Sequence, residues 1–250
     1  MVIGGQRCGT TYLHGLLDGH PDITMAQPAR PEPKVFCSEE KSARAPEWYR
    51  ATYFGHAHGE HILGDKSTSY LEDPAAPGRA RTMLGRAFVV ALLRDPVRRA
   101  VSNWRFSTDN GFETRPLAQA LETNLREQRD WDPERTSVSP FAYLERGRYL
   151  DHLGPWLDAF GDSTSVLFTD ELVGDETVIA DLYAWLGVDA GFRPRRGEGR
   201  VNASESQAPA LPAGLLAELR DYFEAPDRAL ADRLGRTLPW AAEAAEGEER

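Results

Sequence analysis

Residues Gly4 to Thr11 read GGQRCGTT, directly after an apolar start and directly before a helical stretch, TYLHGLLDG. This is the pattern of a strand, a phosphate-cradling loop and a helix N-terminus. Such a loop binds an anion at the helix N-terminus. It departs from the triphosphate loop GxxxxGK[ST] at one telling place. The lysine that would reach the β- and γ-phosphates is replaced by Thr10, and Arg7 supplies a cation from inside the loop. Backbone amides around Arg7, Cys8, Gly9, Thr10 and Thr11, with the positive end of the helix dipole, suit a 5′-phosphate and need no metal. A glycine-rich turn that merely starts a helix would explain Gly9, but not Arg7, Thr10 and Thr11 together.

The rest of the chain fits an α/β fold of the P-loop-like, three-layer kind, with a central parallel sheet flanked by helices. Strands are expected near Val2 to Gly4, Ile62 to Asp65, Phe88 to Leu93 and Ser165 to Phe168. Among them AFVVALL is continuously apolar, as a strand buried on both faces should be. Helices are expected at Thr10 to Asp18, Pro46 to Tyr53, Pro74 to Leu84, Pro96 to Ser107, Pro116 to Gln128, Tyr149 to Phe160, Glu176 to Leu186 and Leu215 to Phe223. With 250 residues and 41% hydrophobic content, one domain over residues 1–240 is expected, followed by an acidic tail over 241–250. No run reaches the ~18 apolar residues of a membrane span and no signal peptide precedes the first strand, so a cytoplasmic protein without a membrane partner is expected. Two cysteines are too few for a disulfide framework. A net charge of −10 has the wrong sign for nucleic acid or a polyanion as general partner.

A second constellation lies in LLRDPVRRAVSNW, Leu92 to Trp104. Arg94 ends the central strand, Asp95 can cap the next helix and Pro96 fits its first position. Arg94 therefore stands at the carboxyl edge of the sheet, where open α/β folds bind ligands. Val97, Val101 and Trp104 form a core face, leaving Arg98, Ser102 and Arg105 on another, so Ser102 can join Arg94 around a second phosphate. Taken alone, an ion-paired arginine and a solvent-facing serine explain these residues as well.

Together the two constellations resemble the PAPS-dependent sulfotransferases, most closely the heparan sulfate sulfotransferase branch and its bacterial small-molecule relatives. The resemblance covers nearly the whole chain: GGQRCGTTYLHGLLDGHPDI, PEPKVF, DKSTSYL, LLRDPVRRAVSNW, GRYLDHLGPWLDAF, VLFTDEL and DYFEAPDRALADRLGRTLPW, in that order. It departs from the family at Arg7, where many members have lysine, and in RPRRGEGRVNAS, which matches the second nucleotide-binding stretch only loosely. The resemblance implies that the first loop holds the 5′-phosphosulfate of PAPS, that Arg94 and Ser102 hold its 3′-phosphate, and that PAP is the product, with no metal.

It also implies roles for the reacting residues. Glu32, in PEPKVF, falls where heparan-type enzymes carry their catalytic glutamate, although a surface glutamate in a proline-rich loop is the plain alternative. Lys34 and Lys66 stand out because the chain has only three lysines against twenty-six arginines, and these two lie in matched segments. A compact ammonium can sit beside a sulfonate or a departing phosphate as a point charge, with Arg7 assisting. Asp65 can orient Lys66, act as a second acid or base, or form a strand-end ion pair. The arginines of the late loop, Arg193, Arg195, Arg196 and Arg200, are either a solvated basic face or a lid over adenine and the 3′-phosphate. The histidines of HAHGEH, His56 to His61, lack a companion ligand set and read as a surface loop.

The activity the resemblance implies is transfer of the PAPS sulfonate to a hydroxyl, ahead of an amine, of a small-molecule or carbohydrate acceptor. The acidity favours a neutral sugar, glycoside or secondary metabolite over a polyanion. The arginine-rich, lysine-poor composition fits a GC-rich bacterial genome. Two other readings compete. One is a P-loop kinase, opposed by Thr10 at the lysine position; the other is a nucleotide-binding regulatory protein without chemistry.

Overall fold

The computed structural model describes residues 1–132, 136, 138–193 and 209–241. In chain order the elements are β1 (Val2–Gly4), α1 (Thr10–Asp18), β2 (Ile23–Met25), α2 (Glu39–Ser42), α3 (Pro46–Tyr53), β3 (Ile62–Gly64), α4 (Ala76–Leu84), β4 (Val89–Leu93), α5 (Pro96–Asp109), α6 (Leu117–Arg126), α7 (Tyr149–Phe160), β5 (Thr164–Phe168), α8 (Thr169–Gly174), α9 (Glu176–Leu186) and α10 (Ala213–Leu234). They group into two compact units. The described residues of Met1–Leu93 and His152–Val201 form one, and those of Arg94–Asp151 and Asn202–Arg250 form the other.

Among the described residues the first unit holds five strands, and their pairings are parallel. One ladder runs β1-β4-β5 and another β2-β3, and a parallel bridge between Val2 and Lys66 links them. The bridge is extended by the Val2 amide donating to the Asp65 carbonyl and the Ser67 amide donating to the Val2 carbonyl. The spatial order is therefore β2, β3, β1, β4, β5. All five residues of β4 are buried, as its unbroken apolar run requires of a central strand. Leu13, Leu16 and Leu17 of α1, Trp156 of α7 and Tyr183 of α9 bury their side chains in this unit.

The second unit is built from α5, α6 and α10 around Val97, Leu117, Leu121, Phe141, Leu144, Leu219 and Phe223. Val101 and Trp104 pack against this cluster, as their spacing with Val97 predicts. The structure adds what the sequence reading left out. Strand β2 is only three residues long, and α10 runs on through Pro226 to Leu234, well past the expected end at Phe223. Arg99 is fully buried inside α5, donating to Asn103 Oδ1 and to the Tyr143 carbonyl.

Candidate active site

The phosphate loop leaves β1 at Gly4, whose φ of 150° and close surroundings exclude a side chain. A Cβ there would sit 2.9 Å from Leu71 Cβ and 3.2 Å from the Thr68 carbonyl oxygen. The Gly5 amide donates to the Leu92 carbonyl at 2.7 Å, pinning the loop to β4. Arg7, at φ 66°, and Gly9, at φ 86°, both take left-handed conformations, so the chain turns tightly before α1 begins at Thr10. The α1 N-terminus has no side-chain cap and no acidic residue in its first turn. Its positive dipole end thus stays available to an anion. Cys8 is buried beneath the loop, and its carbonyl lies 2.6 Å from Thr169 Oγ1, which is also 2.9 Å from the Leu93 carbonyl. One hydroxyl at the start of α8 thereby ties the loop to the end of β4.

Beside this loop, 34 residues apart in sequence, Lys66 Nζ and Glu32 Oε1 form an ion pair at 2.6 Å, with side chains 7% and 16% exposed. Glu32 Oε2 also accepts from the Thr68 amide at 2.9 Å and from its hydroxyl at 3.0 Å. The same Thr68 packs its carbonyl against Gly4, so the first glycine of the loop and the anchor of Glu32 are immediate neighbours. The sequence-predicted Glu32, Lys66 and phosphate loop are thus brought together at the carboxyl ends of β1 and β3. Lys34 adopts a left-handed conformation, φ 48°, and its amide donates to Ser67 Oγ at 3.0 Å.

Asp65 does not pair with Lys66. It is buried and accepts from Tyr49 and Tyr70 on Oδ2, at 2.7 and 2.6 Å, and from Ser67 on Oδ1 at 3.0 Å. Burial pushes its carboxyl upward, and the three hydroxyl donors oppose that. His14, one helical turn after Thr10, feels both Lys66 and Glu32. Burial holds its imidazole below the usual value, opposed by Asp18. His20 is spent structurally, with Nδ1 accepting from the Asp22 amide and Nε2 facing the Asp189 carbonyl at 3.1 Å.

The sequence reading passed over Lys41, the third lysine. Its Nζ donates to the Pro33 carbonyl at 3.1 Å, so the two lysines outside the Glu32–Lys34 segment, Lys41 and Lys66, both bond to it. The scarcity of lysine was the signal that could have found it.

In the second unit Arg94 directly follows β4, and its carbonyl accepts from the Tyr149 hydroxyl at 2.7 Å. Its Nε is buried with no hydrogen bond among the described residues. Asp95 caps α5 as expected, accepting from the Val97 and Arg98 amides at 2.8 and 3.0 Å. Its other oxygen takes Arg220 Nη2 at 2.6 Å. Ser102 lies on α5 two turns beyond Arg94 and is half-buried. Arg193 bonds the Ala190 and Phe192 carbonyls, while Arg195, Arg196 and Arg200 lie outside the described residues. Among the described residues no group of three His, Cys, Asp or Glu could hold a metal ion, and no helix is long and apolar enough to cross a membrane.

Comparison with known proteins places this geometry in context. The model of the sulfotransferase domain matches residues 1–189. The chain is 26% identical over 253 residues to the Caenorhabditis elegans bifunctional heparan sulfate N-deacetylase/N-sulfotransferase 1, covering 92% of this chain and 29% of that protein. To mouse heparan sulfate glucosamine 3-O-sulfotransferase 3A1 it is 25% identical over 262 residues, covering 96% of this chain and 63% of that one. It spans less than two thirds of the length of either. A solved sulfotransferase from Alicyclobacillus acidocaldarius shares the fold with a TM-score of 0.77, covering 95% of each chain at 24% identity.

Proposed function

We propose that this chain, which belongs to the sulfotransferase domain family, moves the sulfonate group of PAPS to a hydroxyl, ahead of an amine, of a small-molecule or carbohydrate acceptor. The sulfotransferase domain is taken as residues 1–240, with 241–250 as an acidic tail. The observation that carries the reading is the Glu32–Lys66 pair, anchored through Thr68 against the first glycine of a loop that leads into an uncapped helix N-terminus. Acid and cation stand together next to an anion cradle, which is what in-line transfer of a sulfonate between two oxygens requires.

In this reading the loop amides from Arg7 to Thr11 and the Arg7 guanidinium hold the 5′-phosphosulfate. Arg94 and Ser102 hold the 3′-phosphate, with Arg196 and Arg200 assigned to the nucleotide by resemblance. The acceptor hydroxyl gives its proton to the Glu32 carboxylate as its oxygen bonds to sulfur. The bond from sulfur to the 5′-phosphate oxygen breaks, and the electron pair leaves with PAP. Lys66 and Lys34 stabilise charge on the moving sulfonate and the departing phosphate as point charges. Lys66 is already paired with Glu32, so the incoming sulfonate shares a cation that the base also uses. No step needs a metal. The net charge of −10 favours a neutral acceptor such as a sugar, glycoside or secondary metabolite, and the arginine-rich, lysine-poor composition with only two cysteines is in keeping with a bacterial, cytoplasmic setting.

Glu32→Gln tests the reading. PAP affinity should stay within about threefold of the parent, while PAP release with hydroxyl acceptors falls by roughly 10² to 10⁴, the range for losing a positioned general base. Parental turnover in Glu32→Gln would exclude Glu32 as the base.

A further inference from the structure

The segment that carries Glu32 and Lys34 is held by a chain of hydrogen bonds that begins at a buried carboxylate. Asp65 accepts from Ser67 Oγ at 3.0 Å and from Tyr70 Oη at 2.6 Å. A carboxylate offers only lone pairs, so both hydroxyl protons point toward it and both oxygens turn their own lone pairs outward. Those oxygens accept from two consecutive amides of the segment. Lys34 N–H donates to Ser67 Oγ at 3.0 Å and Val35 N–H donates to Tyr70 Oη at 2.9 Å. Asp65, Ser67 and Tyr70 are all buried, so these bonds meet little competition from water. Lys34 sits at φ 48°, a conformation that a lysine does not adopt without support. On the carbonyl side of the same turn, Lys41 Nζ donates to Pro33 O at 3.1 Å.

We propose that Asp65, through Ser67 and Tyr70, is a positioning residue that fixes the Lys34 turn and with it the direction in which Glu32 presents its carboxylate, with Lys41 fastening the turn from the other end. The inference rests on Glu32 being the base. It assigns Asp65 a role other than partner of Lys66 and gives the third lysine a function.

Tyr49 supplies a built-in control. Its hydroxyl donates to the same Asp65 oxygen at 2.7 Å, but it does not contact the amides of residues 34 and 35. Tyr49→Phe and Tyr70→Phe therefore remove equivalent bonds from one carboxylate, and only the second releases the turn. Hydrogen exchange of the peptide covering residues 32–37 and PAP release from PAPS, with phenol and N-acetylglucosamine as acceptors, are measured in both variants and in Lys41→Met. Tyr70→Phe should speed exchange in this peptide at least tenfold more than Tyr49→Phe. It should lower kcat by about ten- to a hundredfold, the scale for misplacing a reacting group, with KM for PAPS unchanged. In the Glu32→Gln background Tyr70→Phe should lower kcat little further, since there is no base left to aim. Lys41→Met, at a half-exposed position, should show the same pattern at smaller size and stands in if Tyr70→Phe does not fold. Equal exchange in the two tyrosine variants, or no faster exchange in Tyr70→Phe and Lys41→Met, overturns the proposal. Effects of Tyr70→Phe and Glu32→Gln on kcat that simply multiply also overturn it. Parental turnover in Glu32→Gln would instead remove the base assignment, leaving the exchange result to report on the turn alone.

Discussion

Lys66→Met keeps much of the apolar stem of the side chain and removes its charge, so it isolates the ion pair with Glu32. Removing one member of a buried pair typically costs 3–5 kcal/mol, because the other charge is left uncompensated. Glu32 is better placed than that, since it retains the Thr68 amide and hydroxyl, at 2.9 and 3.0 Å, and is 16% exposed. We therefore expect a loss of about 2 kcal/mol, which in a chain of this size is a fall in Tm of roughly 4–8 °C. Glu32→Gln strands Lys66 instead, but the amide oxygen can still accept from it, so the loss should be smaller. Urea denaturation of both single variants and the double variant gives the coupling energy. It should exceed about 1 kcal/mol, because the double variant removes both charges together. Losses that add to within roughly 0.5 kcal/mol would mean the 2.6 Å pair is not formed in solution, and the placement of the base beside Lys66 would fall with it.

Arg94→Ala should weaken PAP binding at least tenfold by calorimetry, since a charge-assisted hydrogen bond is worth ~1.5–3 kcal/mol; Ser102→Ala should weaken it less. Unchanged affinity in Arg94→Ala would remove the 3′-phosphate assignment. Burial pushes the Asp227 carboxyl from 3.8 up to about 6, Asp95 adds to this, and Trp240 N–H and Arg220 oppose it. A carboxyl with a raised folded-state pKa binds its proton more tightly when folded, so this residue subtracts stability as pH rises from about 4 to about 6. Asp227→Asn should thus be more stable than the parent at pH 7 by on the order of 2 kcal/mol and lose that advantage by pH 4; a gap independent of pH would contradict the burial of this carboxyl.

The strand-loop-helix shape at the start of the chain was legible because it is contiguous: Gly4 and Gly9 mark tight turns locally, whereas the left-handed conformation of Arg7 is not written in its residue type. The cap of Asp95 and Pro96 on α5 was legible for the same reason. Glu32 and Lys66 are 34 residues apart, and only family resemblance set them in one site; spacing alone carries no information across two strands. Adjacency to Lys66 left Asp65 open between orienting that lysine, acting as a second acid or base and forming a strand-end ion pair, and its actual partners, Tyr49, Ser67 and Tyr70, are not written in that adjacency. In the extended segment that continues β3, successive side chains point to opposite faces, so Asp65 turns into the protein toward Tyr49 and Tyr70 while Lys66 turns toward Glu32. The full length of α10 was hidden by Pro226, which reads locally as a helix stop but is tolerated in an otherwise well-packed helix. The burial of Arg99 and the hold of Lys41 on Pro33 arise only from tertiary contacts.

The central claim is that the donor site takes a 3′-phosphorylated nucleotide, and thermal shift with nucleotides tests it without knowledge of the acceptor. A ligand that binds only the folded state stabilises it by RT ln(1 + [L]/Kd), about 2.7 kcal/mol at a hundredfold excess over Kd. PAP should therefore raise the melting temperature by several degrees, EDTA should leave that rise unchanged, and AMP, with only the 5′ half of the anchor, should give a smaller one. ATP with magnesium should do little, because Thr10 cannot reach a γ-phosphate as lysine does and Arg94 and Ser102 would lack their 3′-phosphate. A larger rise with magnesium ATP than with PAP would contradict the sulfotransferase account and point to a kinase instead.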